Sequence, residues 1–287
     1  MKNAAEKAAF FFSHKFPWEG KNEGISKKGS VMKSNQVPNG RRTRVCGLVF
    51  APLTPIAAAC LAKEKMEREE SYTVFTPGAT IHARALRDEK EMSLLRAADL
   101  LLPDGQGVLL ASRLAHAPLP ERCAGIDFAE ALLFLADKGT RFFFYGGREG
   151  VAREAAARMK RKYPHLVFAY ASGYGDDPIE EIRAFAPHAL FVCLGYPNQE
   201  TYILSHREML SCLCVGLGGS LDVWAGRASR APAFFQKWGL EWAYRTVKEP
   251  RRITRLLPLP SYFLAAWREG RKKRRKHPKE RDGVGEM

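Results

Sequence analysis

The sequence lacks an apolar run long enough to cross a membrane. A transmembrane helix needs about 18 or more uninterrupted apolar residues, and the 287 residues contain no such segment. The apolar stretch at residues 8–12 is short, is followed by His14 and Lys15, and has no cleavage site of small residues, so no signal peptide is expected. These absences predict a cytoplasmic protein, although one that can still touch a membrane surface.

The sequence also lacks the motifs of several large enzyme classes. It has no G-x-S-x-G nucleophile motif, no Cys and His spacing suited to zinc, and no G-x-G-x-x-G after its first predicted strand. Its six cysteines show no paired framework and are interpreted as buried free thiols in a reducing compartment. A metal centre and a standard nicotinamide site are therefore disfavoured.

Positive charge is concentrated at the two ends of the chain, whose formal net charge is +15. Residues 1–44 carry ten Lys and Arg against three Glu, and residues 241–287 carry fourteen basic against six acidic residues. The body between them is balanced, so its bulk charge predicts no nucleic-acid partner. The two ends have the charge to meet an anionic surface.

Strands and helices alternate from residue 44 to residue 219. Short continuous apolar runs between helical patterns predict an α/β catalytic core, Rossmann-like, with a mostly parallel sheet and helices on both faces. The first strand is predicted at residues 45–50. Thr54 as N-cap and Pro55 at the first position open the first helix, which is expected to end near residue 69.

Three segments flank this core. Residues 1–43 show no sustained periodicity and predict a mobile N-terminal extension. Residues 277–287 predict a disordered tail. Residues 220–276 predict a helical appendage rich in Arg and Trp, whose three helices each open with a proline. These helices are predicted at residues 232–247, 250–257 and 260–276.

Polar or glycine-rich groups follow four predicted strands. Ligands of open α/β sheets bind beyond the carboxyl ends of the strands, so these groups should converge on one rim. The four segments are TPG from Thr76, DGQG from Asp104, GGREG from Gly146 and GYPNQE from Gly195.

Asp104 is the strongest single candidate for chemistry. A carboxylate at the end of a buried strand can act as a general base toward an attacking hydroxyl, or it can simply cap the helix that follows. Arg122 either neutralises a phosphate or is an exposed loop arginine. The residues alone leave both pairs of interpretations open.

Two further rim segments carry equally open alternatives. Gly146 and Gly147 could bring backbone N–H groups and a helix start onto a diphosphate, or could form a plain turn that needs glycine. Gln199 and Glu200 could grip a uracil or a sugar, or merely start a helix.

The appendage combines aromatic and basic residues. Arg251, Arg252 and Arg255 fall close together without matching acids, whereas Arg245 could pair with Glu241 on a helix face. The aromatic and polybasic sequence at residues 262–276 is typical of segments that adhere to anionic lipid headgroups. The alternative is a solvated tail.

Six motifs together resemble the WecG/TagA/CpsF family of bacterial glycosyltransferases over about residues 44–257. They are TPGA at Thr76, LPDGQG at Leu102, PERCAGID at Pro120, GYPNQE at Gly195, GGSLDVWAGRASRAP at Gly218 and GLEWAYRTVKEPRRITR at Gly239. The last two are highly specific.

The resemblance implies an inverting transferase with a Rossmann-like core. It would move a sugar, typically N-acetylmannosamine or its uronic acid, from a UDP donor onto an undecaprenyl-diphosphate-linked acceptor, with no evident essential metal or other cofactor. The protein would then associate peripherally with the inner face of the cell membrane. The appendage could pack on its own core or complete the site of a neighbouring copy, so a homo-oligomer is one possible state.

The resemblance also implies roles for particular residues. Asp104 would be the catalytic base and Thr76 a polar catalytic-site residue at the preceding strand end. This chain has Gly78 where the family has Asn, which removes one side chain able to bind the sugar or the acceptor. The residues expected to bind substrate are Arg122, Gly146, Gly147, Gln199, Glu200, Gly218, Arg245, Arg251, Arg252 and Arg255.

Two other functions remain as alternatives. One is an NAD-dependent oxidoreductase or epimerase acting on nucleotide sugars. The other is a non-catalytic adaptor that binds lipid or nucleic acid through the basic ends of the chain.

Overall fold

The computed structural model describes residues 42–229, 232, 253–254 and 256–276. Within them the chain forms eight strands: β1 (Thr43–Val45), β2 (Leu48–Phe50), β3 (Tyr72–Phe75), β4 (Leu100–Leu101), β5 (Arg141–Gly146), β6 (Val167–Ala171), β7 (Ala189–Cys193) and β8 (Leu213–Gly216). The helices there are α1 (Pro55–Glu67), α2 (Ala79–Ala85), α3 (Glu89–Arg96), α4 (Gln106–Leu114), α5 (Gly125–Leu135), α6 (Val151–Lys162), α7 (Ile179–Phe185), α8 (Asn198–Ser205), α9 (Ser220–Trp224) and α10 (Leu259–Lys276).

Six strands form one sheet in the order β4-β3-β8-β7-β5-β6, and every pair in it is parallel. Alternate residues of β5 pack into different cores. Phe142 and Phe144 join the core that contains α1, α5, α6 and α9, whereas Phe143 and Tyr145 join the core that contains the other helices. Burial of both faces explains the continuous apolar runs, and the predicted α/β fold with a parallel sheet is confirmed.

The predicted first strand is a hairpin instead. β1 pairs antiparallel with β2, and the turn residues Cys46 and Gly47 both have positive φ, 43° and 84°, as a two-residue type I′ turn requires. The hairpin lies beside the β4 edge, where Ala51 N–H donates to the Leu101 carbonyl at 2.9 Å. The sequence interpretation missed the turn because Cys is an unusual residue at a position with positive φ.

Two local predictions for the core are confirmed, the second with one exception. α1 begins at Pro55, and Thr54 caps it by accepting a hydrogen bond from Ala57 N–H at 3.1 Å. All six cysteines are free thiols and five of them are buried, but Cys60 is exposed, so the prediction of a buried thiol is wrong at that position.

The C-terminal helix α10 packs against the core that contains α2 and α4. Its residues Tyr262, Ala266 and Gly270 are buried at a spacing of four, which places them on one helix face. The Tyr262 hydroxyl lies 3.0 Å from Nδ1 of His82. Burial lowers the pKa of His82 to about 4, so this contact involves a neutral imidazole at neutral pH.

A second contact ties α10 to the N-terminal hairpin. The carboxylate of Glu269 accepts a hydrogen bond from Cys46 N–H at 2.8 Å. α10 matches the third helix predicted for the appendage, while the two helices predicted before it fall mostly outside the described residues. The domain boundaries at residues 43, 219 and 276 stay predictions. None of the described helices is both long enough and apolar enough to span a membrane.

Replacing Gly270 with Ala should lower the free energy of unfolding by about 1–3 kcal/mol through overpacking. The added methyl group would overlap the Leu114 carbonyl oxygen and would lie 2.8 Å from Cδ2 of His116. The higher helix propensity of Ala, about 1 kcal/mol, acts in the opposite direction and is the smaller effect. Urea unfolding followed by circular dichroism measures the difference.

The control for this prediction is Arg274→Ala, which lies on the exposed side of the same helix. It should change the unfolding free energy by less than about 0.5 kcal/mol. Equal stability of Gly270→Ala and the wild type would contradict the observed packing of α10.

Candidate active site

The carboxyl ends of β3 and β4 bring two of the predicted catalytic residues to the same place. Thr76 follows β3 directly, and Asp104 follows β4 by three residues. Beyond the paired strands, Gly78 and Asp104 form a further parallel bridge. The Thr76 and Asp104 segments are therefore direct neighbours on the rim of the sheet.

Asp104 is not the N-cap of the helix that follows it. α4 begins at Gln106, and the N-cap position is held by Gly105, whose φ of 86° suits glycine. The capping interpretation of Asp104 is therefore wrong. The catalytic interpretation stays a prediction.

Arg122 packs beside this segment and is largely buried. The next residue, Cys123, donates its N–H to the Pro103 carbonyl at 2.8 Å. The guanidinium of Arg122 lies 3.7 Å from the carboxylate of Asp127, and their side chains are only 17% and 12% exposed. The interpretation of Arg122 as an exposed loop arginine is therefore wrong.

Carboxylates surround the buried thiol of Cys123. Burial is the main cause that raises the pKa of Cys123, and the negative charges of Asp104, Asp127 and Glu121 raise it further. Asp127 and Asp104 thus act electrostatically on the same group, with Arg122 opposing them. The sequence interpretation did not single out Asp127, although it stands within the PERCAGID motif.

Thr76 connects this part of the rim to the centre of the sheet. Its hydroxyl lies 3.5 Å from the carbonyl oxygen of Gly216 at the end of β8. At the start of α5, a Cβ on Gly125 would lie only 2.7 Å from the Thr76 hydroxyl and 3.3 Å from Cδ2 of Leu217. The absence of a side chain at Gly125 therefore permits the close approach of α5 to Thr76.

Gln199 organises the centre of the rim. It lies in the first turn of α8, is 5% exposed, and accepts a hydrogen bond from Gly218 N–H at 2.8 Å through its side-chain oxygen. Its side-chain nitrogen donates to Glu200 at 2.9 Å. The N–H group of Gly218 is thus bonded within the protein. Gln199 and Glu200 form a buried hydrogen-bonded pair and do not merely start α8.

A second polar cluster adjoins Glu200, and the sequence interpretation missed it. Glu91 from α3 forms an ion pair with Arg84 and accepts a hydrogen bond from the Tyr196 hydroxyl at 3.0 Å. The Arg84 guanidinium also lies over the Tyr196 ring, 5.4 Å from its centroid. No local sequence pattern joins these residues, because Glu91 and Tyr196 are 105 positions apart.

Gly146 and Gly147 lie at the far side of the same rim. β5 is separated from β4 by four strand spacings of the sheet, or about 19 Å at ~4.8 Å for each spacing. A Cβ on Gly146 would overlap the backbone of Cys193, and Gly147 N–H donates to the Cys193 carbonyl at 3.3 Å. Backbone packing thus accounts for glycine at Gly146, and binding of a diphosphate here stays a prediction.

Four predicted substrate-binding residues, Arg245, Arg251, Arg252 and Arg255, lie outside the described residues. Within the described part of the chain, no group of three or more His, Cys, Asp and Glu side chains is arranged to hold a metal ion. The described rim thus offers a carboxylate, a threonine hydroxyl, a guanidinium and a buried amide relay. These groups can deprotonate a hydroxyl and bind a polar, negatively charged ligand.

Comparison with known proteins shows similarity to one family of glycosyl transferases. The model of the glycosyl transferase WecG/TagA/CpsF family matches residues 43–276. A Bacillus spizizenii protein named N-acetylglucosaminyldiphosphoundecaprenol N-acetyl-beta-D-mannosaminyltransferase is 38% identical over 218 residues, which cover 74% of this chain and 85% of the relative. Proteins of the same name from Bacillus subtilis and Staphylococcus aureus are 34% and 31% identical, covering 76% and 78% of this chain and 88% and 92% of their own lengths.

Replacing Gly125 with Ala should destabilise the rim at Thr76. We expect a loss of about 1–3 kcal/mol in the free energy of unfolding, because the new methyl group must displace Thr76 or Leu217. The loss should be smaller when Thr76 is already Ala, so a double-mutant cycle by urea unfolding isolates the contact.

Gly219→Ala is the matched control for Gly125→Ala. The atom nearest to a Cβ added at Gly219 would be Asp222 Oδ2, at an ordinary contact distance of 3.8 Å. The φ of Gly219, −81°, suits any residue. It should therefore leave stability nearly unchanged. Additive effects of Gly125→Ala and Thr76→Ala would contradict the close approach.

Proposed function

We propose that this chain, which belongs to the WecG/TagA/CpsF family of glycosyl transferases, transfers N-acetylmannosamine from UDP to N-acetylglucosaminyl-diphospho-undecaprenol. The chain is a glycosyltransferase, which sets aside the nicotinamide-dependent and non-catalytic alternatives. The acceptor and the sugar are those in the names of its relatives. The parallel bridge between Asp104 and Gly78, two residues after Thr76, carries the mechanistic part of the proposal.

In the proposed reaction Asp104 is the general base. Its carboxylate takes the proton of an acceptor hydroxyl, and the oxygen attacks the anomeric carbon of the donor from the face opposite to UDP. The bond between that carbon and the diphosphate oxygen breaks, UDP leaves with the bonding electrons, and the configuration inverts. Thr76 is proposed to hold the reacting sugar by a hydrogen bond.

The departing diphosphate needs positive charge or N–H donors close by. Arg122 stands next to Cys123, whose N–H bonds to Pro103 directly before Asp104, and we propose that it contributes. Arg245, Arg251, Arg252 and Arg255 are proposed to add to it from the appendage. UDP-sugar and lipid acceptor are then the only small molecules that the proposed reaction uses.

The remaining rim residues are proposed to bind the donor. Gln199 and Gly218 belong to one connected polar wall at the centre of the sheet, and Glu200 contributes to donor binding by holding Gln199 in that wall. Gly146 and Gly147, about three strand spacings from Thr76, or ~14 Å, suit the far end of an extended nucleotide. Gly78 leaves one less side chain to contact the sugar or the acceptor.

Asp104→Asn should lower kcat for glycosyl transfer by about 10²- to 10⁴-fold, the usual contribution of a general base. The amide keeps the shape of the side chain but cannot accept the proton, so the affinity for UDP should change little. Transfer of labelled sugar to a defined lipid-diphosphate-GlcNAc acceptor measures kcat, and titration calorimetry measures UDP binding.

The control for this substitution is Asp137→Asn. Asp137 is an exposed carboxylate after α5, at the opposite end of the strands, paired with Lys63. It should leave turnover near the wild-type value. Wild-type kcat in Asp104→Asn would rule out Asp104 as the base.

We also propose that α10 holds the enzyme at the inner, cytoplasmic face of the cell membrane. Leu264 and Trp267 are 43% and 44% exposed on its outer side, next to the exposed Arg268 and Arg271. The Arg271 guanidinium lies 4.8 Å from the centroid of the Trp267 ring. Apolar and basic side chains on one face are suited to an anionic lipid surface, where a polyprenyl acceptor is found.

The double variant Arg268→Ala/Arg271→Ala should bind vesicles containing phosphatidylglycerol about 10- to 30-fold more weakly, since each cation near such a surface contributes about 1 kcal/mol. The effect should shrink at high salt. Vesicle sedimentation measures the binding.

The matched control is Arg153→Ala/Arg161→Ala on α6, which removes the same charge from exposed positions elsewhere. Equal loss in both double variants would exclude a specific role for α10.

A further inference from the structure

The carboxyl group of Glu200 is buried but only half satisfied. Glu200 is 3% exposed. Its Oε1 accepts the hydrogen bond from Gln199, whereas its Oε2 is buried and has no hydrogen-bond partner within the described part of the chain. A buried carboxylate stays ionised only with several hydrogen bonds or a nearby cation. Burial accordingly raises the pKa of Glu200 to about 7.

The charges that face Glu200 favour the same neutral state. Glu91 approaches from α3, and its negative charge disfavours a second carboxylate beside it. Arg84 of α2 is already engaged in an ion pair with Glu91. On the turn before α8, Tyr196 donates its hydroxyl to Glu91. On the side of β8, the facing segment 216–219 has no titratable side chain.

Gln199 transmits the state of Glu200 to the loop after β8. Its side-chain oxygen accepts from Gly218 N–H, so its nitrogen must face Glu200. If the amide turned over, two donors would meet at Gly218 and two acceptors would meet at Glu200. A Cβ at Gly216 would lie 2.9 Å from the Gln199 nitrogen, so the amide is also closely enclosed.

We propose that Glu200 is a positioning residue that works in its neutral form, holding the Gln199 amide so that the Gly218 loop keeps its conformation for catalysis. The inference rests on the proposed function, since glycosyl transfer is the activity it controls. When Glu200 ionises, Oε2 carries a buried charge beside Glu91, and the side chain turns toward water. Gln199 and Gly218 N–H then lose their fixed arrangement, and the transfer rate falls without any loss of a reacting group.

The sign of the pH dependence follows from the raised pKa. The pKa of Glu200 is higher in the folded state than in the unfolded state. Its neutral form therefore stabilises the fold fully when the pH is below the pKa of the unfolded state. This contribution is lost as the pH rises through about 7. Activity that depends on the neutral form is nearly full below about pH 7 and falls above it.

The test compares the pH profile of kcat/KM for sugar transfer in the wild type and in Glu200→Gln. Gln has the shape of the neutral acid and cannot ionise. The wild type should lose about tenfold in kcat/KM for each pH unit above the pKa, and Glu200→Gln should lack this alkaline decline. Glu200→Ala, which removes the partner of Gln199, should be impaired at every pH. Glu180→Gln, an exposed carboxylate on α7, is the control and should keep the wild-type decline.

A direct titration of the wild-type protein makes the test independent of activity and of any variant that fails to fold. The side-chain carboxyl of Glu200 is followed by carbon-13 NMR after labelling of glutamate. A midpoint near 7 is expected, and a midpoint in the ordinary range of Glu would overturn the inference.

The outcomes separate this inference from the proposed function. If the wild type transfers the sugar and Glu200→Gln shows the same alkaline decline as the wild type, the role of Glu200 is overturned while the proposed function stands. No transfer by the wild type would count against the proposed function, and the NMR titration would then decide the state of Glu200.

Discussion

The burial of both faces of the parallel sheet is the constraint on which the rest of the structure depends. Phe142, Phe144 and Phe191 fill one core, while Phe143 and Tyr145 fill the other, so the inner strands have no position left for exposed polar groups. Polar residues can stand only where the strands end, and parallel strands all end at the same rim. Thr76, Asp104, Gln199 and Gly218 are gathered there for that reason, although they are distant in sequence.

The close approach of backbone segments then sets the fine geometry of the rim. Gly125 lets α5 reach Thr76, and Gly216 leaves room for the Gln199 amide. At Gly107 a Cβ would lie 2.6 Å from Cβ of Ala79, so α2 and α4, which follow the Thr76 and Asp104 segments, are held together. Phe263 of α10 contacts the same place, 4.0 Å from the position of that Cβ. The C-terminal helix therefore supports the two segments that carry the proposed catalytic residues.

Buried polar groups form two kinds of connection in this fold. The contacts of His82 with Tyr262 and of Cys46 with Glu269 join α10 to the core and the hairpin, using a neutral imidazole and a carboxylate. The relay from Glu200 through Gln199 to Gly218 lies at the rim and contains an oxygen with no partner among the described residues. The first network consists of direct contacts that hold α10 in place, whereas burial raises the pKa of the acid in the second network to about 7. The first network is suited to anchoring and the second to control.

The amino-acid sequence by itself determined the class of fold, the position of α1 with its Thr54 cap, and the motifs that place the chain in its family, because these depend on local patterns. It predicted which segments reach the rim but not their contacts. Only the tertiary structure decided the hairpin turn at Cys46 and the partly buried position of Arg122 beside Asp127. The same holds for the cluster of Glu91, Arg84 and Tyr196. Burial, charge proximity and backbone contact join residues up to 229 positions apart, and no local pattern records such distances.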